Sequence, residues 1–260
     1  MFKDRRAQTL RGKRAKQPWP KGTPFKVLSL DGGGIRGVFA AHILRELEDR
    51  YGPIAEYFDL IAGTSTGGII GLGLGLGVPA VEIEQFYLMD GAKVFPLSLF
   101  HHHLFRNVSF LRRLTSPSHD HQALESLLLS VFGQRTFGEA KSRMVIPAFL
   151  GPDPQISVFK TDHHPDYKRD WQTPAWKVAR ATSAAPTFFE AHDERDAFFL
   201  DGGLWANNPA LCAAIEAVSA YQIDPSQIEI LSIGTGSQAE KLNQKLIRSG
   251  LIGWRGAIKT

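Results

Sequence analysis

The order of apolar and polar positions divides the chain into short strands alternating with helices. Val27–Leu30 is an apolar run that breaks at Asp31 and three glycines, the profile of a buried strand entering a turn. From Phe39 to Arg50 the apolar residues Ile43, Leu44 and Leu47 recur at helical spacing, and Gly52-Pro53 ends the run. Tyr57–Ala62 predicts a second strand and Thr66 onward a second helix. Further along, residues 121–132 predict a helix ending at Gly133, and Arg143–Leu150 and Ile156–Thr161 predict two strands joined through Gly151-Pro152-Asp153-Pro154. Trp176–Thr182 reads as a short helix, Phe198–Leu200 as a strand, Pro209–Tyr221 as a helix and Ile228–Ile233 as the last strand. Strand, turn and helix in succession predict an α/β chain with a parallel sheet and crossover helices.

One stretch could be mistaken for a membrane span. No charge falls between Asp59 and Glu82, yet seven of the positions between them are glycine. A spanning helix needs about 20 predominantly apolar residues. Here the sequence reads instead as a strand, a tight turn and a buried glycine-rich helix against which something packs closely. The interval 92–119 is irregular and reads as a loop-rich insertion.

Composition sharpens this picture. With 260 residues, 43% apolar and 22% charged, the chain has material for a sizeable core and is neither disordered nor fibrous. A single cysteine, Cys212, excludes an internal disulfide framework and fits a reducing compartment. The net charge of +4 is unevenly placed: residues 1–26 hold nine basic residues and one acid, so the rest carries a sum of −4. The basic character belongs to a tail, which reads as solvated, mobile chain, with contact to anionic lipid or nucleic acid as the rival reading. No apolar segment follows it, so it is not read as a secretory signal.

Two glycine-rich turns carry the candidate chemistry. Gly63-Thr64-Ser65-Thr66-Gly67 fits G-x-S-x-G where a strand gives way to a helix, the setting in which a strained elbow presents a serine hydroxyl. Its bland reading is a small-residue turn with a capping serine. Gly32, Gly34 and Gly37 satisfy the dinucleotide fingerprint G-x-G-x-x-G, but the acid it wants at the end of the next strand is missing: Asp59 lies near that strand's start. Alternatively, the N–H groups of Gly32–Gly34 form an oxyanion hole for a serine in the neighbouring turn. The base is open between two readings. His192 is the last histidine and could act only with an earlier acid such as Asp162, Asp166 or Asp170; Asp201, at a strand end before Gly202-Gly203, could instead take the serine proton directly. His101–His103 are adjacent loop residues, not a metal-ligand spacing, and no metal is expected. The Phe- and Leu-rich stretch 95–114 reads as the wall or lid of an acyl groove, with core packing as an equal rival.

Taken together, Asp31–Gly37 (DGGGIRG), Gly63–Gly67 (GTSTG) and Asp201-Gly202-Gly203 resemble the patatin-like phospholipases, as do Thr182–Phe189 and Asn207-Asn208-Pro209. The resemblance runs from about Phe25 to Ser237. It implies a three-layer α/β/α fold with a mainly parallel central sheet, and a serine hydrolase that cleaves fatty-acyl esters of glycerophospholipids without calcium or cofactor. Carried over by position, Ser65 is the nucleophile, Asp201 the base, Gly32, Gly33 and Gly34 the oxyanion donors, and Arg36 the residue that steadies that loop. Charge and motif placement together divide the chain into a basic flexible tail (1–24), a patatin-like phospholipase domain (25–240) and a basic amphipathic segment (241–260), beyond which the chain is expected to continue. The wording is most similar to bacterial members, some of them antiphage effectors switched on by cyclic oligonucleotides. The expected partners are therefore a phospholipid surface, a cyclic-nucleotide activator and further copies of the chain, in the cytoplasm or at the inner membrane, with no nucleic-acid polymer. The alternative is a nucleotide-binding α/β domain that uses Gly32–Gly37 without hydrolysis.

Overall fold

The computed structural model describes residues 15–91, 121–151, 154–186, 188–194 and 197–236. The expected acyl-groove stretch 95–114, the three histidines and the segment 241–260 lie outside the described residues.

The chain forms β1 (Phe25–Leu30), α1 (Gly37–Tyr51), β2 (Leu60–Gly63), α2 (Thr66–Gly75), α3 (Ala80–Gln85), α4 (His121–Phe132), β3 (Arg143–Gly151) and β4 (Gln155–Lys160). Then follow α5 (Ala175–Thr182), β5 (His192–Glu194), β6 (Ala197–Asp201), α6 (Gly203–Ala206), α7 (Ala210–Ala220) and β7 (Ile228–Ile233). One sheet joins the strands in the order β5-β6-β3-β2-β1-β7, with β4 also on β3. β7, β1, β2 and β3 are parallel neighbours, while β4 and β6 join β3 antiparallel and β5 joins β6 antiparallel. Most strands therefore run one way in a mixed sheet.

Alternation along the strands builds two cores. Leu28, Leu30, Ile61, Met144 and Ile146 face α1 to α5, whereas Val27, Leu60, Ala62 and Val145 face α7. That is the expected three-layer arrangement. Every residue of α2 is buried, and its glycines are what allow this. A Cβ at Gly71 would come within 3.1 Å of Ile61, and one at Gly75 within 2.6 Å of the Met144 sulfur. Among the described residues no helix is long and apolar enough to cross a membrane.

The register at β3 positions the site. Val145 pairs with both Ala62 of β2 and Lys160 of β4, and Ala148 with both Ser157 of β4 and Asp201 of β6. A residue has only two ladder neighbours, so β2 and β6 must lie along the same edge of β3. They run in opposite directions and meet end to end. Counting on from Ala62, Ser65 falls level with Ala148, the partner of Asp201. A serine and an aspartate 136 residues apart in sequence are thus delivered to one point.

Several boundaries differ from expectation. Residues 54–57 form a 3-10 turn after Pro53, so the second strand starts only at Leu60, where its ladder with β1 begins. Helix α3 was hidden by its shortness; it begins after Pro79, with the Ala80 N–H held by Glu48. The tail ends earlier than residue 24. Gln17 donates to Ala220 O at 2.7 Å, and Trp19 packs edge-on against Phe25 and Tyr221 with centroids 4.8 and 5.6 Å apart.

Candidate active site

Ser65 sits between the end of β2 and the start of α2 with φ 54° and ψ −122°. Among the described residues it alone combines a side chain with positive φ. Such a backbone costs about 1–3 kcal/mol and persists only where its surroundings enforce it. Gly63 and Gly67 are part of that enforcement: a Cβ on Gly63 would strike the backbone of Gly67 and Gly68, and one on Gly67 the Leu30 carbonyl. Thr64 secures the turn from the other side, its hydroxyl donating to Ala206 O at 2.6 Å.

The turn aims the hydroxyl at a carboxylate. Ser65 Oγ donates to Asp201 Oδ2 at 2.7 Å, and the Gly203 N–H donates to Asp201 Oδ1 at 2.6 Å. Both side chains are buried, at 9% and 6% exposure. Burial pushes the Asp201 carboxyl up to about 6 from its ordinary 3.8, against the lowering effect of those two hydrogen bonds. An acceptor with that value is ionised at neutral pH yet basic enough to take a proton.

The histidine reading fails on geometry. His192 lies on the edge strand β5, its ring stacked on Phe199 at 6.5 Å and edge-on to Trp176. Burial, with Arg180 and Lys177 nearby, holds it down at about 3, so it is neutral. Asp170 is engaged by the Lys160 N–H and by Arg169, and Asp166 lies beside His164. The Ser65 hydroxyl is committed to Asp201.

The glycine loop that follows β1 lies over Ser65. A Cβ on Gly32 would come within 3.2 Å of Ser65 Cβ. One expectation needs correcting here. The Gly32 N–H already donates to Asn207 O at 3.0 Å, while Gly32 O accepts from Asn207 Nδ2 at 3.3 Å and from Thr235 Oγ1 at 3.2 Å. Gly32 is therefore an anchor of the loop, not a free donor. No acceptor among the described residues takes the N–H of Gly33 or Gly34. Gly34 has φ 58°, in the left-handed region that favours glycine. Arg36 donates to Gly236 O at 3.2 Å, tying the loop to the chain leaving β7. The N-termini of α1 and α2 converge beside it, since a Cβ on Gly37 would strike Thr66. Their dipoles favour negative charge at this point.

The dinucleotide alternative loses its acid. Asp59 is level with Lys26, whose N–H its carboxylate accepts at 2.8 Å. That is the far end of the strands from the glycine loop. Sequence reasoning also missed the residues that hold the site together. Thr182 was legible only as the end of a short helix and, like Asn207, as part of the family wording, while their partners lie 117 and 175 residues away. No local pattern reports such contacts.

Fold and site define an α/β chain with a serine on a strained strand-to-helix elbow, a carboxylate as its immediate acceptor and a glycine loop above. A family model described as patatin-like phospholipase matches residues 28–214. The chain belongs to the patatin-like phospholipase family. It is 36% identical over 237 residues to a cGAMP-activated phospholipase of Escherichia coli, covering 85% of this chain and 65% of the relative. It is 35% identical over 251 residues to a protein of that name from Vibrio cholerae, covering 89% and 70%. Among solved structures, VipD from Legionella pneumophila matches 81% of this chain and 50% of its own, with 14% identity and a TM-score of 0.49. The chain thus spans 65% and 70% of the length of the two phospholipases and half that of VipD.

Proposed function

We propose that this chain is a serine lipid acyl hydrolase of the phospholipase A type, in which Asp201 activates Ser65 toward fatty-acyl esters of membrane glycerophospholipids. The observation that carries the reading is the 2.7 Å hydrogen bond from Ser65 Oγ, held at φ 54°, to Asp201 Oδ2. As Oγ attacks the ester carbonyl, its proton passes to Asp201 and the new oxyanion points at the N–H groups of Gly33 and Gly34. The intermediate collapses, and Asp201 returns the proton to the departing lysolipid oxygen. Water then gives its proton to Asp201 as it attacks the acyl-serine, which releases the fatty acid and restores the hydroxyl. These steps use protein groups alone, in keeping with calcium-independent action. A cavity of about 420 Å³ runs along α2 and past its end, from Ile69 to Gly77, away from Ser65, and is lined by Val78, Ile83, Phe86, Val131 and Phe132 together with the polar Glu82, Ser130 and Arg135.

The names of the bacterial relatives add regulation to this reading: cGAMP is the activator. The test is fatty-acid release from phosphatidylethanolamine–phosphatidylglycerol vesicles, with and without cGAMP. Release by the wild type that rises with cGAMP and disappears in Ser65→Ala is the expected result. A protein that neither releases fatty acid nor accepts a fluorophosphonate on Ser65 is no serine hydrolase. Because Asp201 must be ionised to act, kcat/KM is expected to fall as pH drops through about 6. A profile flat from pH 5 to 8 would remove Asp201 as the base.

A further inference from the structure

One buried residue outside the Ser65–Asp201 pair bonds to Ser65 through its side chain and, through its main chain, to the residue that follows Asp201. Thr182 ends α5 and is fully buried. Its hydroxyl donates to Pro147 O at 2.6 Å and accepts the Ser65 N–H at 3.0 Å. Its own carbonyl accepts the Gly202 N–H at 3.1 Å, and two residues on Ala184 O accepts the Asp201 N–H at 3.0 Å. Segment 182–184 therefore runs beside the end of β6 as a short ladder. Its first side chain reaches across to the nucleophile.

The location explains why this residue has to be polar. β2 and β6 end facing each other on one edge of β3, and Pro147 falls in the space between them. Neither strand end takes the Pro147 carbonyl, and proline offers no N–H there. A hydroxyl can donate once and still accept, so one group satisfies both Pro147 O and the Ser65 N–H. Small neighbours make the room: a Cβ on Gly68 would come within 2.8 Å of Thr182 Cγ2, and one on Gly202 would meet Pro147 O at 2.4 Å.

We propose that Thr182 is a positioning residue for the reaction: its hydroxyl pins the Ser65 backbone to β3 while its carbonyl holds the Asp201 loop, so one residue fixes the separation of nucleophile and base. The proposal rests on the dyad reading above. Reacting groups displaced by about 1 Å can lose about 100-fold in rate, so a hydroxyl acting through Ser65 need not touch substrate to matter. Freed from Thr182, Ser65 would also donate less well to Asp201. That hydrogen bond lowers the carboxyl, so the apparent value of the base should then rise.

The experiment compares wild type with Thr182→Val, Thr182→Ala and Thr182→Ser, using a soluble short-chain ester for kcat and KM and a fluorophosphonate for the rate of Ser65 labelling. Thr182→Val and Thr182→Ala are expected to lower kcat and labelling by about 10- to 100-fold with KM unchanged, and to move the acid limb of kcat/KM upward. Thr182→Ser restores the hydroxyl and is expected to work close to wild type. Thr182→Ala adds no atoms, so it gives the answer if the valine variant does not fold. Unchanged kcat in the alanine variant overturns the proposal, as does a serine variant that falls as far as alanine, because the methyl packing is then what counts. Ser65→Ala run alongside keeps the two readings apart: activity surviving there sinks the dyad itself, whatever Thr182 does.

Discussion

Asp201→Asn is expected to cut turnover by about 1,000-fold or more while the protein becomes more stable at pH 8. The loss follows from removing the group that, on the proposed mechanism, accepts the Ser65 proton, and members of such a unit are individually costly to remove. The gain follows from burial. A carboxyl held at about 6 rather than 3.8 binds its proton more tightly in the folded chain than in the unfolded one. Its contribution to stability is therefore full below pH 3.8 and is lost as pH rises through about 6. By pH 8 the ionised form costs about 3 kcal/mol, which an asparagine does not. Steady-state hydrolysis and urea denaturation at pH 5 and pH 8 check both halves. A variant that is inactive but equally destabilised at both pH values would mean a disrupted fold and not a missing base.

The second large effect is structural. Gly67→Ala is expected to destabilise the chain by about 3 kcal/mol or to leave it insoluble, because the new methyl meets backbone and not a movable side chain. The Leu30 carbonyl and Asp31 O lie where the methyl would go, so α2 can make room only by lifting off β1. Gly133→Ala is the control: its site is open space, and only its positive φ of 58° resists the change. If urea midpoints for the two variants agree, the close approach of α2 to β1 is not what sets the requirement for glycine.

These contrasts also explain what could be read in the sequence. Most of the strands, the major helices and the elbow at Ser65 were legible because each follows from local pattern: apolar runs, helical spacing, and glycines flanking a serine. Ser65 and Asp201 could be proposed, but only the register of β3 brings them within 2.7 Å. That register depends on three strands sharing one central neighbour. The role of Gly32 was misread for a related reason. Nothing near it in the chain reveals that Asn207 takes its N–H. Short α3 and the three-residue β5 offered too little periodicity to see, and Trp19 gave no sign that it would dock on Phe25 and Tyr221. Local rules failed where long-range contacts decide.

The end-to-end meeting of β2 and β6 makes the catalytic distance a matter of whole residues. Deleting one residue from β6 would withdraw Asp201 by about 3.3 Å, one strand step, and no side-chain motion could restore the bond. The chain between α2 and β3 does not enter that count, since it leaves the end of α2 and returns at the end of the sheet far from Ser65. Insertions there can lengthen, shorten or be exchanged while the ruler that spaces nucleophile and base stays unchanged. The architecture thus separates the part that must be counted from the part that is free to diversify, and new substrate preferences can arise without re-deriving the chemistry.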